Sequence, residues 1–155
     1  MERIVGIGEF IISNNSEDCI STYALASCVA VTAYSYAKGV AGMIHIALPL
    51  PPKAPDLTTR PSYYAVTGLP AMINAMYKDY GCKMEELIIG LYGGADSIHN
   101  DVFKIGQKNV AMVKKILLEM RLSYITDETS GYISRTLYLD VAHGTVNVKT
   151  QPIKI

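Results

Sequence analysis

Val29-Ala30-Val31-Thr32-Ala33-Tyr34 and Val40-Ala41-Gly42-Met43-Ile44-His45-Ile46-Ala47-Leu48 are two short β-prone runs separated by Lys38-Gly39. β-Branched and small apolar residues suit a pleated, half-buried surface, so strands dominate this first third of the chain. His45 sits inside an otherwise apolar run. An imidazole buried without compensation costs free energy, so His45 needs a partner or a chemical role. Cys28 stands just ahead of the first run, after the small residues Ala26 and Ser27. Its thiolate is a nucleophile that a nearby imidazole activates. The two residues point to Cys–His chemistry on a carbonyl carbon.

Upstream, Arg3 to Ser13 is apolar with two glycines and reads as strand. Asn14 to Asp18 is a polar turn cluster, and Cys19 to Leu25 is a further β-prone run. Downstream, Pro49 to Pro61 holds five prolines and reads as an exposed loop near the site, because it follows His45 directly. Ser62 is placed to cap a helix running to Tyr80, with Gly81 as its stop. Ala65, Leu69, Met72, Ile73 and Met76 share one face of that helix. Pro70 removes a backbone bond inside it, so either the helix kinks there or the segment before is a separate turn.

Leu87 to Tyr92 is a buried strand entering Gly93-Gly94. A second helix is expected from near Gly106 to Met120, with Val110, Val113, Leu117 and Met120 inward. Leu122 to Thr126, Arg135 to Val141 and Thr145 to Thr150 read as later strands, with the last turn at His143-Gly144. Many strands and two helices without regular βα alternation make the fold class α+β. No internal repeat or low-complexity stretch appears.

At 155 residues the chain is expected to form one domain, 1–155, large enough for a hydrophobic core without staples. Formal net charge is zero, with no block of like charges, so nothing attracts nucleic acid or an anionic membrane. The eleven tyrosines lack the basic patch that base stacking requires and are expected to pack at the core edge with the hydroxyl wet. Cys19, Cys28 and Cys82 are an odd set without C-x-x-C spacing, neither a disulfide framework nor a zinc site. Reduced thiols, no signal-peptide pattern and no apolar run long enough to span a bilayer make the cytoplasm the expected compartment. Gly93-Gly94 is not followed by a phosphate-loop pattern, which sets nucleotide binding aside.

The segments around the thiol and the imidazole are specific. Thr22-Tyr23-Ala24-Leu25-Ala26-Ser27-Cys28 and Gly42-Met43-Ile44-His45-Ile46-Ala47-Leu48-Pro49 resemble the T-x-x-x-G-S-C and G-x-x-H-x-x-L-P segments of the chemoreceptor glutamine deamidase family, CheD. Ile4 to Glu9 resembles the family's opening strand, Tyr92-Gly93-Gly94-Ala95 its F-G-G-A turn, and Ile105-Gly106-Gln107-Lys108-Asn109 its I-G-x-R-N helix start. Asp127-Glu128-Thr129-Ser130-Gly131 through Arg135 resembles the late D-x-G-G…G-R loop. The matches keep one order over nearly the whole chain. Ala26 stands where the family has glycine, Lys108 where it has arginine, and Ser130 and Ser134 where glycine is common.

The resemblance implies a layered, sandwich-like β-sheet core flanked by helices, similar to the catalytic domain of the cytotoxic necrotizing factor toxins. It also implies roles. Cys28, which alone fits a small buried hydrophobe, becomes the nucleophile. His45, which alone fits a hydrogen-bonded core histidine, becomes the general base. Thr22, otherwise a plain strand residue, orients the imidazole through its hydroxyl or backbone carbonyl. Backbone N–H groups around Ser27 and Cys28 are the expected oxyanion donors, with Gly93 and Gly94 lining the cleft. Cys19, Cys82 and His143 read as structural, and His99 as a solvated loop residue. Such an acyl-enzyme route needs no metal and no organic cofactor. The implied substrates are glutamines of methyl-accepting chemotaxis receptors, and the implied second partner is the CheC phosphatase. Two other readings share these residues: a CheD-like binding module with little turnover that regulates CheC, and a cysteine protease or transglutaminase.

Overall fold

The computed structural model describes residues 1–52, 60–96 and 103–153. In chain order they form β1 (Glu2–Ile4), β2 (Phe10–Ser13), β3 (Cys19–Leu25), β4 (Val29–Ser35) and β5 (Val40–Ile46). Helix α1 (Ala65–Tyr80), β6 (Leu87–Gly93), helix α2 (Ile105–Glu119), β7 (Thr126–Thr129), β8 (Ile133–Asp140) and β9 (Val146–Pro152) follow. A five-stranded sheet runs β2-β5-β4-β6-β7, and a four-stranded sheet runs β1-β3-β8-β9.

β4 and β5 are buried along their whole length, which explains their near-continuous apolar sequences: both faces are covered. They pair antiparallel from Val29↔Ile46 through Ala30↔His45 to Ser35↔Val40. Val29, Val31, Ala33, Ile44 and Ile46 face the helices and meet Leu69, Met72, Ile73, Met76, Val113 and Leu117. Ala30, Tyr34, Ala41 and Met43 face the other sheet and meet Ile20, Leu25, Leu137 and Leu139. The molecule is therefore three layers, helices on sheet on sheet, and this is the sandwich-like α+β architecture expected. Gly42 leaves room on the helix side, since a Cβ there would lie 3.0 Å from the Met76 sulfur.

The apolar faces assigned to both helices are buried, except that Met120 is the half-buried C-cap of α2. Ser62 does not cap α1. It lies in a 3₁₀ turn, Pro61–Tyr63, and α1 begins at Ala65 with Tyr64 as N-cap. Tyr64 is held extended by its bridge to Leu48, so the helical run cannot start earlier. The helix runs through Pro70, so the residues just before it are helical rather than a separate turn, and Gly81 ends it at a φ of 72°.

The apolar stretch Arg3 to Ser13 is two strands, β1 and β2, in different sheets. The strand expected over Leu122 to Thr126 is instead the polar Thr126–Thr129, an edge strand parallel to β6. Leu122 is buried at the end of α2, while Ile125 is exposed. An edge strand of four half-exposed residues carries no apolar alternation to read. Tyr34, Tyr64 and Tyr92 are buried rather than at the core edge, and the Tyr34 hydroxyl donates to the Val141 carbonyl. Cys82 is buried in the helix-side core, and exposed His143 pairs with Asp140 in the β8–β9 turn. His99 and residues 53–59 of the proline loop lie outside the described residues.

Candidate active site

Thr22 on β3 and His45 on β5 belong to different sheets and meet in the buried seam between them. Thr22 Oγ1 lies 2.7 Å from His45 Nδ1 and donates to the Val5 carbonyl at 2.8 Å. A hydroxyl has one hydrogen. With that hydrogen on Val5, Nδ1 must be the donor to Oγ1. This assigns the imidazole tautomer and leaves a lone pair on Nε2, which has no hydrogen-bond partner among the described residues. The Thr22 contact to the imidazole is thus made by its hydroxyl, which the carbonyl of Val5, buried beside β1, orients.

Cys28 precedes β4. Ala30 is opposite His45, so carrying the register back places Cys28 on His45's face, diagonal to it, with Cβ atoms about 7 Å apart. Cys28 packs against the cluster between the sheets, which agrees with that face. Sγ and Nε2 make no hydrogen bond here. Such contacts are commonly long without substrate and tighten on binding. Burial pushes the Cys28 thiol up and the His45 imidazole down to about 4, so the resting pair is neutral thiol and neutral imidazole.

This has a consequence for stability. The unfolded imidazole takes up a proton below about pH 6.5 and the folded one does not until about pH 4. The stability from His45 is complete above pH 6.5 and is lost as pH falls toward 4, by about 3 kcal/mol. Urea midpoints measured across that window should fall on acidification, and should fall less in His45→Ala. Equal slopes would contradict the buried neutral imidazole.

The segment Ala26-Ser27-Cys28 is held by its carbonyls. Ala95 N–H donates to Ala26 O at 2.7 Å, Gly94 N–H to Cys28 O at 2.9 Å, and Asn109 Nδ2 to Ser27 O at 2.9 Å. The N–H groups of Ser27 and Cys28 have no acceptor among the described residues. Gly93 and Gly94 abut the loop, and the Gly94 N–H is spent on the Cys28 carbonyl. At Gly93 φ is 100° and a Cβ would lie 2.3 Å from the Cys28 carbonyl oxygen, so only glycine lets β6 end against Cys28. Buried Arg135 donates to Gly93 O and Ser130 O, tying the strand exit to the late loop.

The departures from the family pattern separate on backbone grounds. Ala26 is not among the positive-φ residues, so alanine imposes no distortion, and Lys108 is exposed. Ser130 does adopt a φ of 73°, which suits glycine. Ser130→Gly should raise stability by about 1 kcal/mol, the αL strain relieved less the entropy of a freer unfolded chain. An unchanged or lower melting temperature would refute this.

Two features have no site role in the sequence analysis. β3 carries a bulge between Thr22 and Leu25, with Ala24 at a φ of 55°, which turns both Thr22 and Leu25 inward although they are three apart. No glycine marks it. Asn109 had a readable signal: a polar residue on the inward stripe of α2 with Gly106, Val110 and Val113. Among the described residues no helix is long and apolar enough to cross a membrane, and no three His, Cys, Asp or Glu side chains cluster to hold a metal.

A family model described as CheD chemotactic sensory transduction matches residues 47–150. A "Probable chemoreceptor glutamine deamidase CheD" of Syntrophotalea carbinolica is 38% identical over 95% of this chain and 93% of its own. "Probable chemoreceptor glutamine deamidase CheD 1" of Syntrophus aciditrophicus is 35% identical over 95% and 92%. The archaeal relative from Thermococcus kodakarensis, named like the first, is 34% identical over 96% and 92%. Among solved structures, that of Bacillus licheniformis hypothetical protein YfiH superposes with a TM-score of 0.49 at 10% identity, over 77% of this chain and 49% of that one.

Proposed function

This chain belongs to the CheD family, and from that premise we propose that it is a cytoplasmic protein-glutamine deamidase, one domain over residues 1–155, converting glutamines of methyl-accepting chemotaxis receptors to glutamate. The observation that carries this reading is the Thr22–His45 hydrogen bond, which leaves a bare Nε2 on the face that Cys28 shares.

His45 Nε2 takes the Cys28 proton as Sγ attacks the side-chain carboxamide carbon. The carbonyl oxygen becomes an oxyanion facing the Ser27 and Cys28 N–H groups. The C–N bond then breaks, the imidazolium returns the proton to the leaving nitrogen, and ammonia departs from a thioester. Water deprotonated by His45 attacks that thioester, the C–S bond breaks, and the thiolate regains the proton. The sum is glutamine plus water to glutamate plus ammonia. Thr22 accepts from Nδ1–H throughout, which steadies the imidazolium each time it forms.

The test is mass analysis of a receptor cytoplasmic fragment after incubation in heavy-oxygen water. Glutamine turned to glutamate with one solvent oxygen incorporated is the expected result. An unchanged fragment would favour the binding-module reading, and cleavage or crosslinking a protease or transglutaminase. The CheC phosphatase is the second proposed partner, in the same cleft; excess CheC should slow deamidation, and additive binding would refute a shared site.

A further inference from the structure

On the deamidase reading, we infer that Asn109 is the positioning residue that aims the Cys28 N–H at the developing oxyanion. Asn109 is fully buried, four residues into α2, and both hydrogens of its amide nitrogen are used. One goes to the Ser27 carbonyl at 2.9 Å and the other to the Ala47 carbonyl at 3.0 Å. Ser27 immediately precedes the nucleophile, and Ala47 lies two residues after the base. One side chain thus spans both catalytic segments.

The consequence for the oxyanion follows from peptide planarity. Among the described residues there are no cis bonds, and in a trans peptide the C=O and N–H point in opposite directions. Holding the Ser27 carbonyl against α2 therefore turns the Cys28 N–H away from α2, where it has no acceptor among the described residues. The carbonyls of Ala26 and Cys28 are held by the backbone N–H groups of Ala95 and Gly94. The middle carbonyl, the one whose peptide carries the Cys28 N–H, is held by a side chain.

Asparagine suits the task. Two donors on one uncharged nitrogen reach both carbonyls without burying a charge, and aspartate donates nothing when ionised. The Asn109 Oδ1 is buried without a partner among the described residues, a liability that packing alone gives no reason to keep. The approach of α2 depends on Gly106, three residues earlier, where a Cβ would lie 2.3 Å from the Ala95 carbonyl oxygen. The Ile105-to-Asn109 segment thus gains a chemical reason for its composition.

The test compares two reactions of Cys28 in Asn109→Ala and Asn109→Asp. Deamidation builds an oxyanion, whereas alkylation by iodoacetamide builds none and needs only thiol and imidazole. Deamidation kcat should fall roughly 10²-fold with KM within about threefold, while the alkylation rate and its pH profile stay within about twofold. An unchanged kcat overturns the inference, and so does an alkylation rate that falls in step with kcat. If both variants unfold, the wild type decides. A peptide aldehyde with a glutamine-like side chain forms a thiohemiacetal on Cys28, and the Cys28 backbone amide resonance should move downfield and gain exchange protection. A Cys28 amide that does not move overturns the inference. Wild-type protein that alkylates normally but leaves receptor glutamines unchanged sinks the deamidase reading, and the inference with it.

Discussion

Cys28→Ala is expected to lower deamidation of a receptor fragment by roughly 10³-fold or more while the protein stays folded. Cys28 is half-buried and packs against the cluster between the sheets that includes Ala30, Met43 and Tyr92. Replacing its side chain with a methyl group removes one atom's worth of packing, about 1 kcal/mol, and leaves every carbonyl contact of residues 26–28 in place. The other two cysteines are the contrast. Cys19 lies on the outer face of the four-stranded sheet, opposite Glu2 and Asp140, and Cys19→Ala should leave activity near wild type. Cys82 is buried among the helix-side apolar residues, so Cys82→Ala should cost stability and spare turnover. Near-wild-type turnover in Cys28→Ala would end the thioester mechanism.

What could be read from the sequence is what local chemistry dictates. β4 and β5 were legible because covering both faces makes them apolar throughout, and His45 was conspicuous for the same reason. The helices were legible from their periodic faces and from Gly81. The rest depends on contacts between distant segments. Nothing local separates β1 from β2 into opposite sheets, and nothing in Thr126–Thr129 announces a strand, because its partner β6 supplies the pairing. The start of α1 is not legible locally because the Leu48–Tyr64 bridge, not the Ser62 hydroxyl, decides where the helix begins.

The site divides in the same way. Cys28, His45 and Thr22 stood out by residue type and by resemblance, but the reason they meet is tertiary. The bulge at Ala24 keeps Thr22 and Leu25 both inward, and the pairing of β3 with β1 brings Val5 to the Thr22 hydroxyl. The glycine departures show why position alone misleads. Ala26 and Ser130 look equally anomalous in sequence, yet Ser130 alone of the two occupies a glycine-like φ.

His45→Ala should be nearly as damaging as loss of the nucleophile, by roughly 10³-fold in kcat, since it removes the proton carrier for both halves of the reaction. Burial holds the imidazole down to about 4, and Thr22 holds it in the Nδ1–H tautomer, so the base is competent well below neutrality. In the wild type, kcat/KM should stay level from about pH 8 down to about pH 5 and fall only as the imidazole protonates near 4. An acid limb near the ordinary histidine value would mean the imidazole is not the buried, neutral group described. Alkylation gives the independent check. Burial pushes the Cys28 thiol up, so without its base it should react slowly at neutral pH, and iodoacetamide labelling of His45→Ala should lag the wild type until the solution is alkaline enough to ionise the thiol directly. Thr22→Val keeps the shape and removes the hydroxyl. It leaves Nδ1–H without its acceptor and frees the tautomer, so it should cost about tenfold, less than losing the imidazole. Equal labelling of the wild type and His45→Ala across about pH 6 to 9 would show that Cys28 and His45 do not act as a pair, whatever face of the sheet they share.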